Sequence, residues 1–441
     1  MKSSFPSKFY SPDTIWLFGK NQDGQLITDE GRSSSERLVN VKITPISEHQ
    51  LFPYGDKLKW IGAGDHFTIF VTRSNVVYGA GQNTSGQLGL DHNRPLEEKI
   101  VRITFFDHKN IAYISCGAYF TYYLEEVGNS QIIYVCGKNT SGQLGLGERY
   151  RSRMEVYPPE RLDTSFLRPG DRVEKIVCGY ESTLLLTKQG CLYGCGSNGT
   201  NQLGTFPNNE EDSISSFTLC TYTLLPNEKI IDVSLGTSYV LILTDHGNVL
   251  SNNISHQPYS KIGTLFCAPF SKIHFGASTC FLQISKNHPD LSLAGHVVTF
   301  SDEYGNGRAL ESQFHCMDYK TINSDDFDLD SISGLTGFFF ISKDYKVYCL
   351  GNNESNELGL DSSEVSSVTT PMRHLILEDI ISRTLSFSKQ NMKPTIVCGY
   401  SHSILYFSSQ ETRDYRLFFG NLEKHASHQT ALCDLDFVFL D

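Results

Sequence analysis

The sequence is poor in the features that mark most function classes. It has two tryptophans and five methionines among 441 residues, and no apolar run approaches the roughly 20 residues a membrane-spanning helix needs, so no span is expected. The opening Met1-Lys2-Ser3-Ser4-Phe5-Pro6 lacks the apolar core of a signal peptide, which argues against secretion. Positive charge is scarce: 37 Lys and Arg against 49 Asp and Glu leave a formal charge of −12. Phosphate neutralisation needs the opposite field, so direct nucleic-acid binding is not expected. The twelve cysteines contain no Cys-x-x-Cys pair, which removes the commonest zinc and redox arrangements. No Gly-Lys-Ser/Thr phosphate loop is present, and no Ser/His/Asp or Cys/His set stands out. The expectation is a non-enzyme without cofactor or metal.

What the chain does have is repetition. Gly81–Gly89 reads GQNTSGQLG, Gly137–Gly145 GKNTSGQLG, Gly196–Gly204 GSNGTNQLG and Gly351–Gly359 GNNESNELG, with an eroded copy, GKNQDGQLI, from Gly19. A second phrase, Gly followed by a short polar step and an apolar run, starts at Gly64, Gly179 and Gly334, each 17 residues before a copy of the first. It recurs at Gly117, Gly236, Gly276 and Gly399, with spacings of 53, 62, 57, 40, 58 and 65 residues. Two short apolar runs separated by turn chemistry make a β-hairpin, so strands carry the repeat and almost no helix is expected. Seven units of four strands suit a closed ring, because radial repetition leaves few open edges. Counting Gly19 and Gly420, the closing phrase has eight slots, which makes an eight-bladed ring the nearest competitor. The phrase itself implies a glycine with positive φ or close backbone approach, an Asn suited to the left-handed region, and a Leu dropping between blades.

These units resemble the regulator-of-chromosome-condensation repeats, from about Ile15 to Gly420. The resemblance implies an all-β fold, a seven-bladed β-propeller of four-stranded antiparallel blades. Residues 1–441 then form a single domain with the tail 421–441 packed on or beside the ring. The units after Gly236 and Gly276 lack the closing phrase and should be irregular. Ring closure should join Ile15–Gly19 to the unit around Gly399, with Leu417–Phe419 beside it and Phe437–Leu440 over the open edge. Cys116, Cys178 and Cys398 precede the upstream Gly, and Cys136 and Cys195 the closing Gly, so the cysteines read as small apolar core residues in a reducing compartment.

Several motifs are by-products of the repeat. Gly194–Gly199 satisfies a dinucleotide fingerprint without a helix to follow it, and the sequons at Asn83, Asn139, Asn198 and Asn353 all fall on one structural turn. His66 and His402 occupy recurrent positions after the upstream Gly and read as packing or hydrogen-bonding residues; His425 and His428 read as solvated loop. The acidic groups at Glu210–Asp212 and Asp325–Asp330 read as loop surface.

Function must therefore sit on loops. The most distinctive runs from Gly147 to Arg172, where Arg149, Arg151 and Arg153 alternate with Tyr150 and Ser152. An extended segment would put the three guanidinium groups on one side, suited to carboxylates or phosphate of a protein partner; the alternative is a solvated edge. The resemblance implies regulation of a small GTPase by guanine-nucleotide exchange, against a scaffold or adaptor without that activity. Departures are a short segment before the first strand with only Lys2 and Lys8 as cations, and only Trp16 and Trp60 where a light sensor of this family needs a tryptophan cluster. A monomer in the cytoplasm, with the nucleus as second compartment, is expected.

Overall fold

The computed structural model describes residues 5–27, 40–90, 94–199, 202–204, 212–222, 224–237, 240–251, 260–261, 270–275, 279–285, 287, 297–301, 314–316, 337–342, 344–388 and 392–409. Within them the chain is a β-propeller of antiparallel four-stranded blades. Sheet I comprises Leu58–Ala63, Phe67–Thr72, Val77–Gln82 and Leu96–Arg102; sheet II Ile111–Cys116, Phe120–Val127, Ser130–Lys138 and Glu155–Arg161; sheet III Val173–Cys178, Ser182–Thr187, Leu192–Ser197 and Ser213–Leu219. Sheet IV comprises Ile230–Leu235, Val240–Thr244, Val249–Ser251 and Ser260–Lys261, and sheet V Phe270–Phe275, Thr279–Ile284, Val297–Ser301 and Phe314–Cys316. Sheet VI has three strands among the described residues, Gly337–Ile341, Val347–Asn352 and Ser367–Arg373, rather than the expected four; the residues preceding Gly337 lie outside those described. Sheet VII combines Met392–Cys398 and His402–Ser409 with two strands from the other end of the chain, Thr14–Lys20 and Asn40–Ser47.

The second strand of each sheet is sandwiched between neighbouring sheets, which is why it reads as a continuous apolar run. Phe67–Thr72 and Ser182–Thr187 are buried at every residue. The closing phrase caps the third strand. Gly81 has φ +100°, and a Cβ there would lie 2.3 Å from the His66 carbonyl oxygen, so the hairpin admits only glycine. The Asn does not take the left-handed conformation expected of it; Gly24, Gly86, Gly142 and Asn356, later in the phrase, do. The Asn instead closes the turn with its side chain. Asn83 Oδ1 accepts from Leu88 N at 3.0 Å and Asn353 Oδ1 from Leu358 N at 2.9 Å, while the Asn353 amide donates to Val365 O at 2.7 Å. Leu26, Leu88, Leu144, Leu203 and Leu358 are fully buried between adjacent sheets, as expected.

In sheets I, II, III and VII the same turn stitches the sheet to the one before it. The residue four after the upstream Gly is a hydroxyl that donates to the carbonyl of the Gln or Glu in the preceding sheet's phrase. Thr68 reaches Gln25 O at 2.9 Å, Thr121 Gln87 O at 2.7 Å, Thr183 Gln143 O at 2.9 Å and Ser403 Glu357 O at 2.9 Å. The equivalent residues of sheets IV, V and VI are Val240, Cys280 and Phe338, which carry no hydroxyl. Sheets V and VI meet instead through Phe281 and Phe338, ring centroids 4.8 Å apart.

The N-terminal strand joins the sheet built around Gly399, as its apolar character implied: Trp16 pairs with Leu405 and Gly19 with His402. Gly19 is thus the closing glycine of sheet VII, and the one slot beyond seven, at Gly420, lies outside the described residues. Both edges of Thr14–Lys20 are taken, one by His402–Ser409 and the other by Asn40–Ser47, so the neighbour expected to be Leu417–Phe419 is Asn40–Ser47. Residues 417–419, the tail 421–441, His425 and His428 lie outside the described residues. Sheet IV is irregular as expected, with third and fourth strands of three and two residues.

A 13-residue helix, Leu375–Phe387, runs against the expectation of almost no helix. It buries Leu377, Ile380, Ile381 and Thr384, an i, i+3, i+4, i+7 pattern that the strand repeat overshadowed. The eight described cysteines other than those in sheet V are free, and burial pushes the Cys178 and Cys349 thiols up to about 12. The dinucleotide fingerprint lies on Leu192–Ser197 and the turn after it, which is strand and not a strand–helix junction.

Candidate partner-binding surface

The upstream loop and the closing phrase lie at the same end of sheets I, II and III, because the closing Gly pairs with the first residues of the second strand: Gly81 with Phe67, Gly137 with Phe120, Gly196 with Ser182. Together they make one face of the ring. On its inner rim the upstream loops touch backbone to backbone. Asp65 N donates to Ala118 O at 3.2 Å and Tyr400 N to Gly64 O at 3.3 Å, and a Cβ on Gly399 would fall 2.4 Å from Gly64 O.

The residues held on this rim are aromatic and ionisable. The Tyr119 hydroxyl donates to Asp65 Oδ2 at 2.9 Å, and its ring lies edge-on to Tyr180 with centroids 6.2 Å apart. Burial first, then the charge and hydrogen bond of Asp65, push the Tyr119 phenol up. Tyr400 is near enough to Asp65 and Tyr180 to feel both, and its phenol is also raised, chiefly by burial. Tyr180 and Tyr400 are nevertheless 39% and 40% exposed, while Asp65 is 7% exposed. His66 stacks near Tyr119 at 6.4 Å and stands between two carboxylates, Asp23 Oδ2 at 3.0 Å from Nδ1 and Asp65 Oδ1 at 3.4 Å from Nε2. Lys138 pairs with Glu181 at 2.6 Å and lies 5.7 Å from the Tyr119 ring centroid.

The arginine loop sits at the outer edge of the same face and is not extended. Glu148–Tyr150 form one turn of 3-10 helix, with Arg151 N bonded to Glu148 O at 3.0 Å and Arg153 N to Tyr150 O at 2.9 Å. The turn is fixed from below, where Asn139 Nδ2 donates to Tyr150 O and Arg153 O, each at 3.3 Å, and from the side, where Glu148 bonds to Ser215 of sheet III. The three guanidinium groups therefore do not line one side. Arg149 and Arg153 lie against the Tyr150 ring at 4.9 and 5.3 Å, while Arg151 pairs with Glu148 at 3.3 Å and Arg153 with Glu160 at 3.6 Å. Arg149, Arg151 and Arg153 remain exposed. The rim was missed by sequence reasoning, although its signal was present: the positions directly after the upstream Gly hold Asp65, Tyr180 and Tyr400, and the next position holds Tyr119.

Fold and turn chemistry define a β-propeller of tandem Gly-x-Asn repeats. The profile of the Regulator of chromosome condensation (RCC1) repeat matches residues 74–124 and 132–186, a second RCC1 repeat profile matches residues 173–202, and the chain belongs to the RCC1-repeat family. It is 30% identical over 239 residues to the ultraviolet-B receptor UVR8 of Arabidopsis thaliana, an aligned stretch covering 54% of this chain and about half (48%) of the receptor. Two solved structures share the fold. Human WBSCR16 superposes with a TM-score of 0.65 at 16% identity, covering 90% of this chain and 99% of that one. Prp20p of Saccharomyces cerevisiae, described with its binding properties to Gsp1p and histones, superposes with a TM-score of 0.64 at 15% identity, covering 92% and 96%. Among the described residues no helix is long and apolar enough to cross a membrane.

Proposed function

We propose that this chain is a protein-interaction propeller of seven blades, sheet VI being the seventh, which regulates a small GTPase as a guanine-nucleotide exchange factor. The observation that carries the reading is the rim of upstream loops, where two tyrosines from different sheets, Tyr180 and Tyr400, stand open on one face. The relation to Prp20p, whose described partner Gsp1p is a small GTPase, supplies the partner class. Exchange asks no bond chemistry of the propeller: binding energy realised best in the nucleotide-free complex weakens nucleotide by linkage. The test is release of fluorescent guanine nucleotide from a panel of purified small GTPases; acceleration of none of them removes the exchange reading. A scaffold or adaptor is the second reading, because UVR8 and WBSCR16 match this chain as well as Prp20p does and one fold serves several roles. In either case the chain acts as a monomer of one domain in the cytoplasm or nucleus, without cofactor and without direct contact to nucleic acid.

The loop at Arg149, Tyr150, Arg151 and Arg153 is proposed as an outer contact for acidic groups of the partner, with Tyr150 stiffening Arg149 and Arg153. Changing all three arginines to Glu is expected to weaken partner capture at least about tenfold. Because the ion pairs are exposed and worth about 0–1 kcal/mol, Tm should move by less than about 2 °C. Unchanged capture by the triple variant would remove the loop from the interface.

A further inference from the structure

The rim tyrosines differ from ordinary exposed aromatics in what lies beneath them. Asp65 is a carboxylate at 7% exposure whose Oδ2 takes the Tyr119 hydroxyl, while Oδ1 has no hydrogen-bond donor and only His66 Nε2 near it, at 3.4 Å. Buried polar atoms are almost always paired, so a carboxylate oxygen left without a donor is a cost in the free protein. Tyr119 is bonded to Asp65, Tyr180 lies edge-on to the Tyr119 ring with centroids 6.2 Å apart, and the Tyr400 backbone is held at 3.3 Å by the carbonyl of Gly64, the residue before Asp65. Tyr119 is already engaged, with His66 and Lys138 beside its ring; Tyr180 and Tyr400 keep about two-fifths of their surface open. Further acid lies close by in Asp23 and Glu181, and the whole chain carries −12.

Open tyrosine surface beside a buried negative charge favours a flat cation. Aromatic rings attract guanidinium and ammonium through the quadrupole, and guanidinium adds stacking and hydrogen bonds to the phenolic oxygens. We propose that this rim is the docking pocket for an arginine side chain of a basic protein partner, with Tyr180 and Tyr400 stacking on the guanidinium and Asp65 supplying the charge below. The inference rests on the reading of this face as a protein-contact surface; it does not depend on nucleotide exchange.

The test uses the full-length protein and fluorescein-labelled Gly-Ser peptides carrying four arginines, four lysines or four glutamates, followed by anisotropy at moderate salt. The decisive variant is Tyr180→Leu with Tyr400→Leu, which leaves net charge unchanged, so attraction by the overall field is the same as in the parent. The expected result is tight preference for the arginine peptide in the parent, at least a tenfold loss in the double variant, and less than a threefold change for the lysine peptide. Equal affinity of parent and double variant for the arginine peptide would overturn the proposal, as would lysine and arginine peptides responding alike. Tm of the variants is read alongside, and the single changes Tyr180→Leu and Tyr400→Leu serve if the double variant does not fold. Each should then lose part of the arginine preference, and no loss in either overturns the proposal. Nucleotide release is scored separately on the parent protein, so absence of exchange leaves the peptide result standing, and failure of the peptide test leaves the exchange result standing.

Discussion

A protein lacking residues 1–47 is expected to lose cooperative unfolding altogether, a larger effect than removal of any other segment of similar length at the end of a domain. Terminal residues usually fray, and their loss costs little. Here they supply two of the four strands of sheet VII, and the strand Thr14–Lys20 is the one against which His402–Ser409 is laid. Ile15, Trp16, Leu17 and Phe18 are at most 1% exposed. Trp16 and Phe18 belong to the core shared with sheet VI and the Leu375–Phe387 helix, while Ile15 and Leu17 belong to the core shared with sheet I. One strand thus fills the gaps on both sides of its sheet. Gln25, in the turn that follows, receives Thr68 of sheet I and so carries the stitch across the joint. Truncating a buried Trp or Phe costs about 3–5 kcal/mol, and a whole domain has only about 5–15 kcal/mol in hand. Trp16→Ala alone should therefore lower Tm by roughly 3–5 °C if the 441 residues unfold in one step. The measurement is thermal unfolding followed by far-UV and near-UV circular dichroism. A truncated protein that melts in one transition at the parent temperature would show that sheet VII holds without its N-terminal half.

The architecture was readable in the sequence because the repeat is written in backbone requirements. Gly81, Gly137 and Gly196 are fixed by positive φ, and Leu88, Leu144 and Leu203 by the inter-sheet gap, so each copy reports the same geometry. The pairing of Gly19 with His402 was legible in the same terms, since each closing Gly pairs with the residue three after an upstream Gly. Two things were not legible. The Asn40–Ser47 strand carries no copy of either phrase, and its place beside Thr14–Lys20 is set by which edge remains open after the sheet has formed. The shape of the arginine loop was lost to a local competition: alternation of Arg and Tyr suggests an extended segment, yet the Asn139 side chain draws the Tyr150 and Arg153 carbonyls inward and turns the chain. The rim was hidden for a different reason. Asp65, Tyr119, Tyr180 and Tyr400 are scattered over more than 300 residues and meet only because the ring brings the upstream loops of sheets I, II, III and VII together.

Acid should loosen this ring at the closure joint before the carboxylates that usually govern acid unfolding are protonated. His402 is fully buried there, with Nε2 3.0 Å from Thr68 Oγ1. Because Thr68 Oγ1 donates to Gln25 O, Nε2 carries the proton and Nδ1, which has no hydrogen-bond partner, must stay bare. Burial, and then the charge of His66, hold its pKa down to about 3. His374, buried at the N-terminus of the Leu375–Phe387 helix, donates from Nε2 to Leu358 O at 3.0 Å and accepts from Leu377 N at Nδ1, so protonation would break the helix cap; burial is the main cause of its pKa near 4. Both groups bind fewer protons folded than unfolded. Their contribution is therefore complete above about pH 6.5 and is lost as pH falls toward those values, by roughly 2–3 kcal/mol each at pH 4.5. Glu48 works in the opposite direction. It is 4% exposed, burial raises its carboxyl to about 7, and it binds more protons folded than unfolded, so its contribution grows on acidification by a similar amount. The parent should thus lose only part of the histidine term between pH 7 and 4.5. Glu48→Gln, which keeps an acceptor for Leu58 N, should make the fall in Tm steeper, and His402→Gln, which keeps a donor for Thr68, should make it shallower. Tm measured for the three proteins at half-unit steps decides the matter, and a His402→Gln slope equal to that of the parent would show that the closure joint does not sense the proton.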